Sequence, residues 1–267
     1  MTWAGVSGNT YTLDMVKQDI QEMNSFLAAG FKGIPNIRVI GNHDQCLCSG
    51  SRLQNKEAYN LRGRYNSGEK TFDNYGYYDL DFAKVRIIYL NTSEITNANS
   101  SNAGAILNIS QNQKNWLAEL LISTNQKTDA NDWRILILSH APLDMVGNIG
   151  TDILIPYTNG GSYNSYNFTN HNVEILGNIH GHVHCFSYGY ISNKIRRFTI
   201  PNSNFYDNNH YRTISGYESW SEQTTYSKTA NSRTDTSFSL VTMDLENDIC
   251  YVDNYGAGID RVFSLGY

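Results

Sequence analysis

Three polar motifs each follow a run of apolar and β-branched residues: Gly41-Asn42-His43-Asp44, Ser139-His140-Ala141-Pro142 and Gly181-His182-Val183-His184. The runs cover residues 37–40, 135–138 and, with polar interruptions, 173–179. A short apolar run bounded by turn residues predicts a buried strand, so each motif falls on a loop at a strand end. In an open α/β sheet, ligands bind at the carboxyl edge of the strands, where loops distant in sequence can converge on one point. The pattern therefore predicts an α/β fold with one polar site on a sheet edge.

The intervening sequence fits that frame. Leu13, Val16, Ile20, Met23 and Leu27 follow helical spacing, and Gly30 is placed to end this helix before a strand at 36–40. Residues 75–80 and 84–90 read as two strands around a turn at 81–83. Ser110 with Gln113 forms a capping-box pattern ahead of Trp116, Leu117, Leu120 and Leu121, which predicts a helix. A strand at 133–138 follows. Residues 148–172, rich in Gly, Asn, Ser and Tyr, read as a long loop. Strands are expected at 187–191 and 196–200, then a hairpin of 237–245 with 249–254 and a last strand at 259–263. Residues 202–231 read as a second polar, aromatic insertion containing His210 and Trp220.

With 267 residues and neither a repeat nor a linker, residues 1–267 read as one domain with insertions near 148–172 and 202–231. The net charge of -5 and the lack of a Lys/Arg run argue against a nucleic-acid-binding surface, so a polyanionic partner would need positive charge from a metal centre. No segment is long and apolar enough to span a bilayer and no signal peptide is visible, which points to a cytoplasmic or virion-associated chain. Protein partners are not legible. Cys46, Cys48, Cys185 and Cys250 form neither a paired C-x-x-C pattern nor a disulfide framework and read as free thiols. Three Asn-x-Ser/Thr sequons, at Asn91, Asn108 and Asn167, read as chance matches in an Asn-rich chain.

Imidazole and amide oxygen are suitable ligands for zinc, manganese or iron, and His-x-His at a tight turn can direct two rings to one ion or to neighbouring ions. Asn42, His140, His182 and His184 are the candidate metal ligands. Two divalent ions about 3.5–4 Å apart would clamp phosphate oxygens and generate hydroxide at neutral pH. His43 can contact phosphate or protonate a leaving oxygen, with Asp44 orienting its ring. His180 can share a face with His182 and His184 if the strand stays extended, either as a substitute ligand or as a residue packed beside the site. Asp144 and Asp152 can face the cleft or be solvated. Tyr163, Tyr166, Phe205, Tyr206 and Tyr211 can stack on a nucleoside or sugar, or pack on the surface.

These motifs, in this order, resemble the calcineurin-like metallophosphoesterase family. The resemblance implies a single domain of two packed mixed β-sheets flanked by helices, a four-layer α/β/β/α sandwich, and metal-dependent hydrolysis of a phosphomonoester or phosphodiester by metal-bound hydroxide. It implies that Asn42, His140 and His182 serve one ion and His184 the other, with one or two ions of Mn, Zn or Fe. His43 matches the family's catalytic histidine and Asp44 its partner. The segment 238–263, with Gly256-Ala257-Gly258-Ile259-Asp260-Arg261, also resembles the ending of phage and prophage members.

The family's Asp-x-His and Gly-Asp-x-x-Asp motifs do not appear, and no His precedes Gly41. Residues 1–9 are too short and polar to supply the strand that would carry the first of them, so the first βαβ unit is expected to be incomplete and the chain to be N-terminally truncated. Two dications on neutral ligands would lack the anionic groups that balance their charge. Two functions follow as expectations: a phosphoric ester hydrolase, or a catalytically incomplete structural or binding module, phage-associated in character.

Overall fold

The computed structural model describes residues 13–30, 37–42, 47–48, 51–52, 70–72, 74–94, 107–182, 186–200, 222–224, 238–256 and 260–265. The chain opens with α1 (Leu13–Gly30), the helix its spacing predicts. A short hairpin of β1 (Leu47–Cys48) and β2 (Ser51–Arg52) follows. Next come β3 (Lys70–Phe72), β4 (Tyr75–Leu80) and β5 (Val85–Leu90), joined antiparallel. The β4–β5 turn closes at Lys84, which takes a left-handed φ of 53°. Helix α2 (Gln111–Asn125) leads to β6 (Arg134–Ser139).

After β6 a wide turn, Gly150–Leu154, runs into the short helix α3 (Ile155–Thr158). The hairpin β7 (Ser162–Tyr163) and β8 (Tyr166–Asn167) precedes β9 (Glu174–His180). Strands β10 (Phe186–Ile191), β11 (Ile195–Thr199) and β12 (Glu222–Thr224) extend the main sheet. A separate three-stranded antiparallel sheet of β13 (Phe238–Asp244), β14 (Ile249–Tyr255) and β15 (Arg261–Ser264) completes the fold.

The main sheet has eight strands in the order β12-β10-β11-β9-β6-β5-β4-β3. The central four, β11, β9, β6 and β5, run parallel, so their carboxyl ends share one edge. Strands buried on both faces read as continuous apolar runs, and β6, Arg-Ile-Leu-Ile-Leu-Ser, is an example. Ile135 and Ile137 point to a core with Leu117 and Leu121 of α2, Trp133, Ile153, Leu154 and Tyr157. Leu136 points the other way and joins Val85, Leu176 and Phe198 against Cys250 and Val252 of β14. Each such buried side chain contributes about 1.5–3 kcal/mol. Burial pushes the Cys250 thiol up to about 12, so it packs as a small apolar group.

The result is the α/β sandwich expected, with α2 and α3 on one face of a mixed sheet and a second sheet on the other. A register shift lies between β6 and β9 at Ile135/Leu136, beside Gly177 (φ 156°). A Cβ at 177 would sit 2.8 Å from the carbonyl oxygen of Arg196, so the close approach of β11 requires glycine there.

Three expectations are corrected. Residues 37–40 make no ladder pairing among the described residues, although Ile40 is buried, because an apolar run becomes a strand only where a neighbouring strand takes up its backbone groups. Residues 148–172 are not a structureless loop: Ile149, Ile153, Leu154 and Tyr157 are fully buried along the Gly150–Leu154 turn and α3. The capping box is only half formed. Ser110 Oγ accepts from Gln113 N–H at 3.2 Å, but Ser110 N–H donates to Glu94 Oε2 at 2.7 Å, because the Gln113 side chain is engaged with Asn91.

The insertion at 202–231, apart from Glu222–Thr224, lies outside the described residues and takes with it Phe205, Tyr206, His210, Tyr211 and Trp220. Among the described residues, no helix is long and apolar enough to cross a membrane.

Candidate metal centre

The carboxyl edge of the parallel strands gathers three of the polar motifs' residues. His140 follows the last residue of β6, and His182 follows β9 by two residues. Ser139 and His180 are register partners across that pair, which brings the two exits side by side. Gly181 N–H donates to the His140 carbonyl at 2.9 Å and fastens them together. The segment 37–42 enters from outside the ladder and brings Asn42 to the same place, where its Oδ1 lies 2.7 Å from His140 Nε2.

His182 Nδ1 lies 3.3 Å from that same Nε2, and the two rings meet edge to face with centroids 5.1 Å apart. All three side chains are only partly buried, so the edge opens toward solvent. Two backbone features make this approach possible. A Cβ at Gly41 would lie 2.9 Å from His140 Nδ1 and 3.0 Å from Cε1, so the ring fits only against a glycine. His182 adopts φ 69°, a left-handed conformation that is uncommon for a residue with a side chain and clusters at functional sites.

The donor chemistry fits a divalent cation. A neutral imidazole nitrogen is either a donor or an acceptor, so Nε2 of His140 cannot serve as one while also being the other for a second partner. Ligands to zinc lie about 2.0–2.1 Å from it, which puts neighbouring ligand atoms about 2.9–3.4 Å apart at angles of 90–110°. Around His140 Nε2, the 3.3 Å to His182 Nδ1 falls within that spacing and the 2.7 Å to Asn42 Oδ1 lies about 0.2 Å short of it. Asn42, His140 and His182 are therefore able to hold one ion with two neutral nitrogens and an amide oxygen. No cluster of three or more His, Cys, Asp or Glu occurs among the described residues, and the Asn carboxamide is what completes this trio.

The remaining predicted site residues divide as follows. His43, Asp44 and His184 lie outside the described residues, as do Cys46 and Cys185. His180 does not join the trio: it is buried, and its Nδ1–H donates to the Gly181 carbonyl at 3.1 Å. Burial pulls its imidazole down to about 3, helped by the positive charge of Arg197 and the nearby His182, so it is a neutral residue packed beside the site. Asp144, four residues past His140, is not merely solvated. It forms an ion pair with the buried Arg197 guanidinium of β11 and so ties the β6 exit loop to the sheet. Asp152 sits 3.9 Å from Lys114.

Tyr163 and Tyr166 stack on each other and spend their hydroxyls on α2, Tyr163 accepting from Gln111 and Tyr166 donating to Glu119. They pack on the surface. Asn91, the first of the sequon residues, is fully buried, its backbone N–H bonded to Gln113.

A group that sequence reasoning missed supports the site from the β5 exit. Thr92 just past β5, Ser139 at the end of β6 and Asn178 on β9 are buried polar residues; Thr92 and Ser139 bond to Ala141 after His140, and Asn178 bonds to Ser139. The signal for them was the run of polar residues directly after β5, Asn91-Thr92-Ser93-Glu94, where burial would be unexpected without partners.

The profile of the calcineurin-like phosphoesterases matches residues 8–186. Among solved structures the chain is similar to a dimetal phosphatase from Danio rerio, with 15% identity and a TM-score of 0.57 over 94% of this chain and 78% of that one, a likeness of fold. No curated protein matches. With a family match over more than half of its 267 residues, this chain belongs to the calcineurin-like phosphoesterases, hydrolases that act on phosphoric ester bonds with divalent metal ions.

Proposed function

We propose that this chain hydrolyses a phosphomonoester or phosphodiester using a divalent ion of Mn, Zn or Fe held by Asn42, His140 and His182, with His184 serving a second ion. The observation that carries the reading is the approach of Asn42 Oδ1 and His182 Nδ1 to His140 Nε2 at the sheet edge. When bound, such an ion supplies Lewis acidity toward phosphate oxygens and lowers the pKa of water. To present its Nε2 lone pair, His140 carries its proton on Nδ1. Asn42 is held with its oxygen toward that nitrogen. His43, one residue on, is positioned in sequence to bind phosphate or to give a proton to the leaving oxygen, and Asp44 to orient its ring. The neutral His180 keeps a further positive charge away from the ligands.

A second reading is a phosphoesterase-fold binding module without turnover, in a phage or prophage setting. It is favoured by the neutrality of the trio, two imidazoles and an amide with no carboxylate among them. The test is metal content per chain together with hydrolysis of p-nitrophenyl phosphate and its bis ester in added manganese, for the wild type and His140→Ala. Metal and turnover, both lost in the variant, support the hydrolase. Metal without turnover supports the binding module, and a folded chain with neither removes the metal reading altogether.

A further inference from the structure

His140 is the hub of the trio, and the main chain of the residue after it, Ala141, is gripped by side chains. Ala141 N–H donates to Thr92 Oγ1 at 3.0 Å, and the Ala141 carbonyl accepts from Ser139 Oγ at 2.8 Å. Both polar groups of the residue after the ligand are thus taken up by hydroxyls. Ser139 Oγ in turn accepts from Asn178 Nδ2 at 2.9 Å, and the same Nδ2 donates to the Ile137 carbonyl at 3.2 Å. Thr92 lies two residues past β5, Ser139 ends β6 and Asn178 lies on β9, so two adjacent parallel strands and the exit of a third each contribute one side chain. Thr92, Ala141 and Asn178 are fully buried and Ser139 nearly so, which keeps water from replacing any of these bonds.

From this geometry we infer that Thr92 and Ser139, braced by Asn178, are positioning residues that fix the His140 main chain and thereby aim its ring at the shared point with Asn42 and His182. The inference rests on the metal reading of that trio. Groups behind a metal ligand set its orientation, and their loss weakens metal binding about 10–100-fold. The arrangement has a specific requirement: the hydroxyl at position 92 must accept, so Thr92→Val, of nearly the same shape, abolishes the bond to Ala141 while Thr92→Ser keeps it.

The experiment is titration of the full chain with Mn²⁺ and Zn²⁺ for wild type, Thr92→Val, Thr92→Ser and Ser139→Ala, with Leu121→Ala as a control destabilised far from these bonds. Imidazole NMR of His140 in the metal-free proteins is recorded alongside. The expected result is a dissociation constant raised about 10–100-fold in Thr92→Val and Ser139→Ala, restored in Thr92→Ser and unchanged in the control. His140 ring resonances should shift in the two deficient variants and stay in place in the other two. Wild-type affinity in Thr92→Val, or an equal loss in Leu121→Ala, would overturn the inference. If the wild type binds no metal, the metal reading fails on its own, and the imidazole spectra still decide: unmoved His140 resonances in Thr92→Val and Ser139→Ala sink the positioning role, and shifted ones sustain it.

Discussion

His182 holds a conformation that its side chain disfavours. A left-handed residue bearing a Cβ costs roughly 1 kcal/mol relative to glycine, and the fold accepts that cost at the position where an imidazole faces His140. His182→Gly should therefore leave the metal-free stability unchanged or raise it by up to about 1 kcal/mol, while removing metal binding. Urea denaturation and metal titration of one preparation check both halves. A large loss of stability with metal binding intact would mean that the ring is a packing group. That Asn42, His140 and His182 would gather at one sheet edge was legible in the sequence because polar residues ending apolar runs have little structural reason to be there. The role of His180 was open in the sequence, since alternation alone cannot tell a strand-end ligand from a buried neighbour. The distinguishing fact is its burial and its bond to the Gly181 carbonyl.

At the scale of elements, periodicity served best where packing and pattern coincide. Strands β4, β5, β6, β9 and β11 and helices α1 and α2 all stand within a few residues of their expected positions. The segment 148–158 was hidden because Gly, Asn and Thr surround its apolar residues, yet Ile149, Ile153, Leu154 and Tyr157 follow a helical repeat that places them together in the core. Ile153→Ala should cost about 2–5 kcal/mol in denaturant unfolding, as a core residue does, whereas a loop residue would cost little. Between β6 and β9, Glu174 gives a pH test. Burial holds its carboxyl above the ordinary range, against the opposing pull of Arg134 Nε at 3.1 Å. A carboxyl raised in the folded state contributes stability below its unfolded pKa and loses it as pH rises through the folded value. Glu174→Gln should then be more stable than wild type at pH 7, with the gap closing below the usual carboxylate range. A less stable variant at pH 7 would show that the Arg134 pair outweighs burial.

Over the whole molecule, the candidate site joins parts that the sheets do not. Asn42 and His140 are 98 residues apart, and residues 37–42 belong to no ladder among the described residues. Arg38 bonds to Asn24 of α1, and Asn42 meets His140. The β6 and β9 exits, by contrast, are anchored in the central parallel strands and covered on both faces by core. An ion on Asn42, His140 and His182 would thus act as a cross-link between a segment outside the ladder and the central sheet, and its binding free energy would appear chiefly in that segment. At a free metal concentration 100 times Kd, binding adds about 2.7 kcal/mol to the state that binds. Amides of 37–42 should consequently exchange up to about 100-fold more slowly with saturating manganese than with chelator, while Ile88 and Ile137 in the sheet centre change little. In His182→Gly the metal should make no difference at 37–42. Equal protection with and without metal in the wild type would mean that this segment is already fixed by the fold, and that the approach of Asn42 to His140 is a structural contact rather than one completed by an ion.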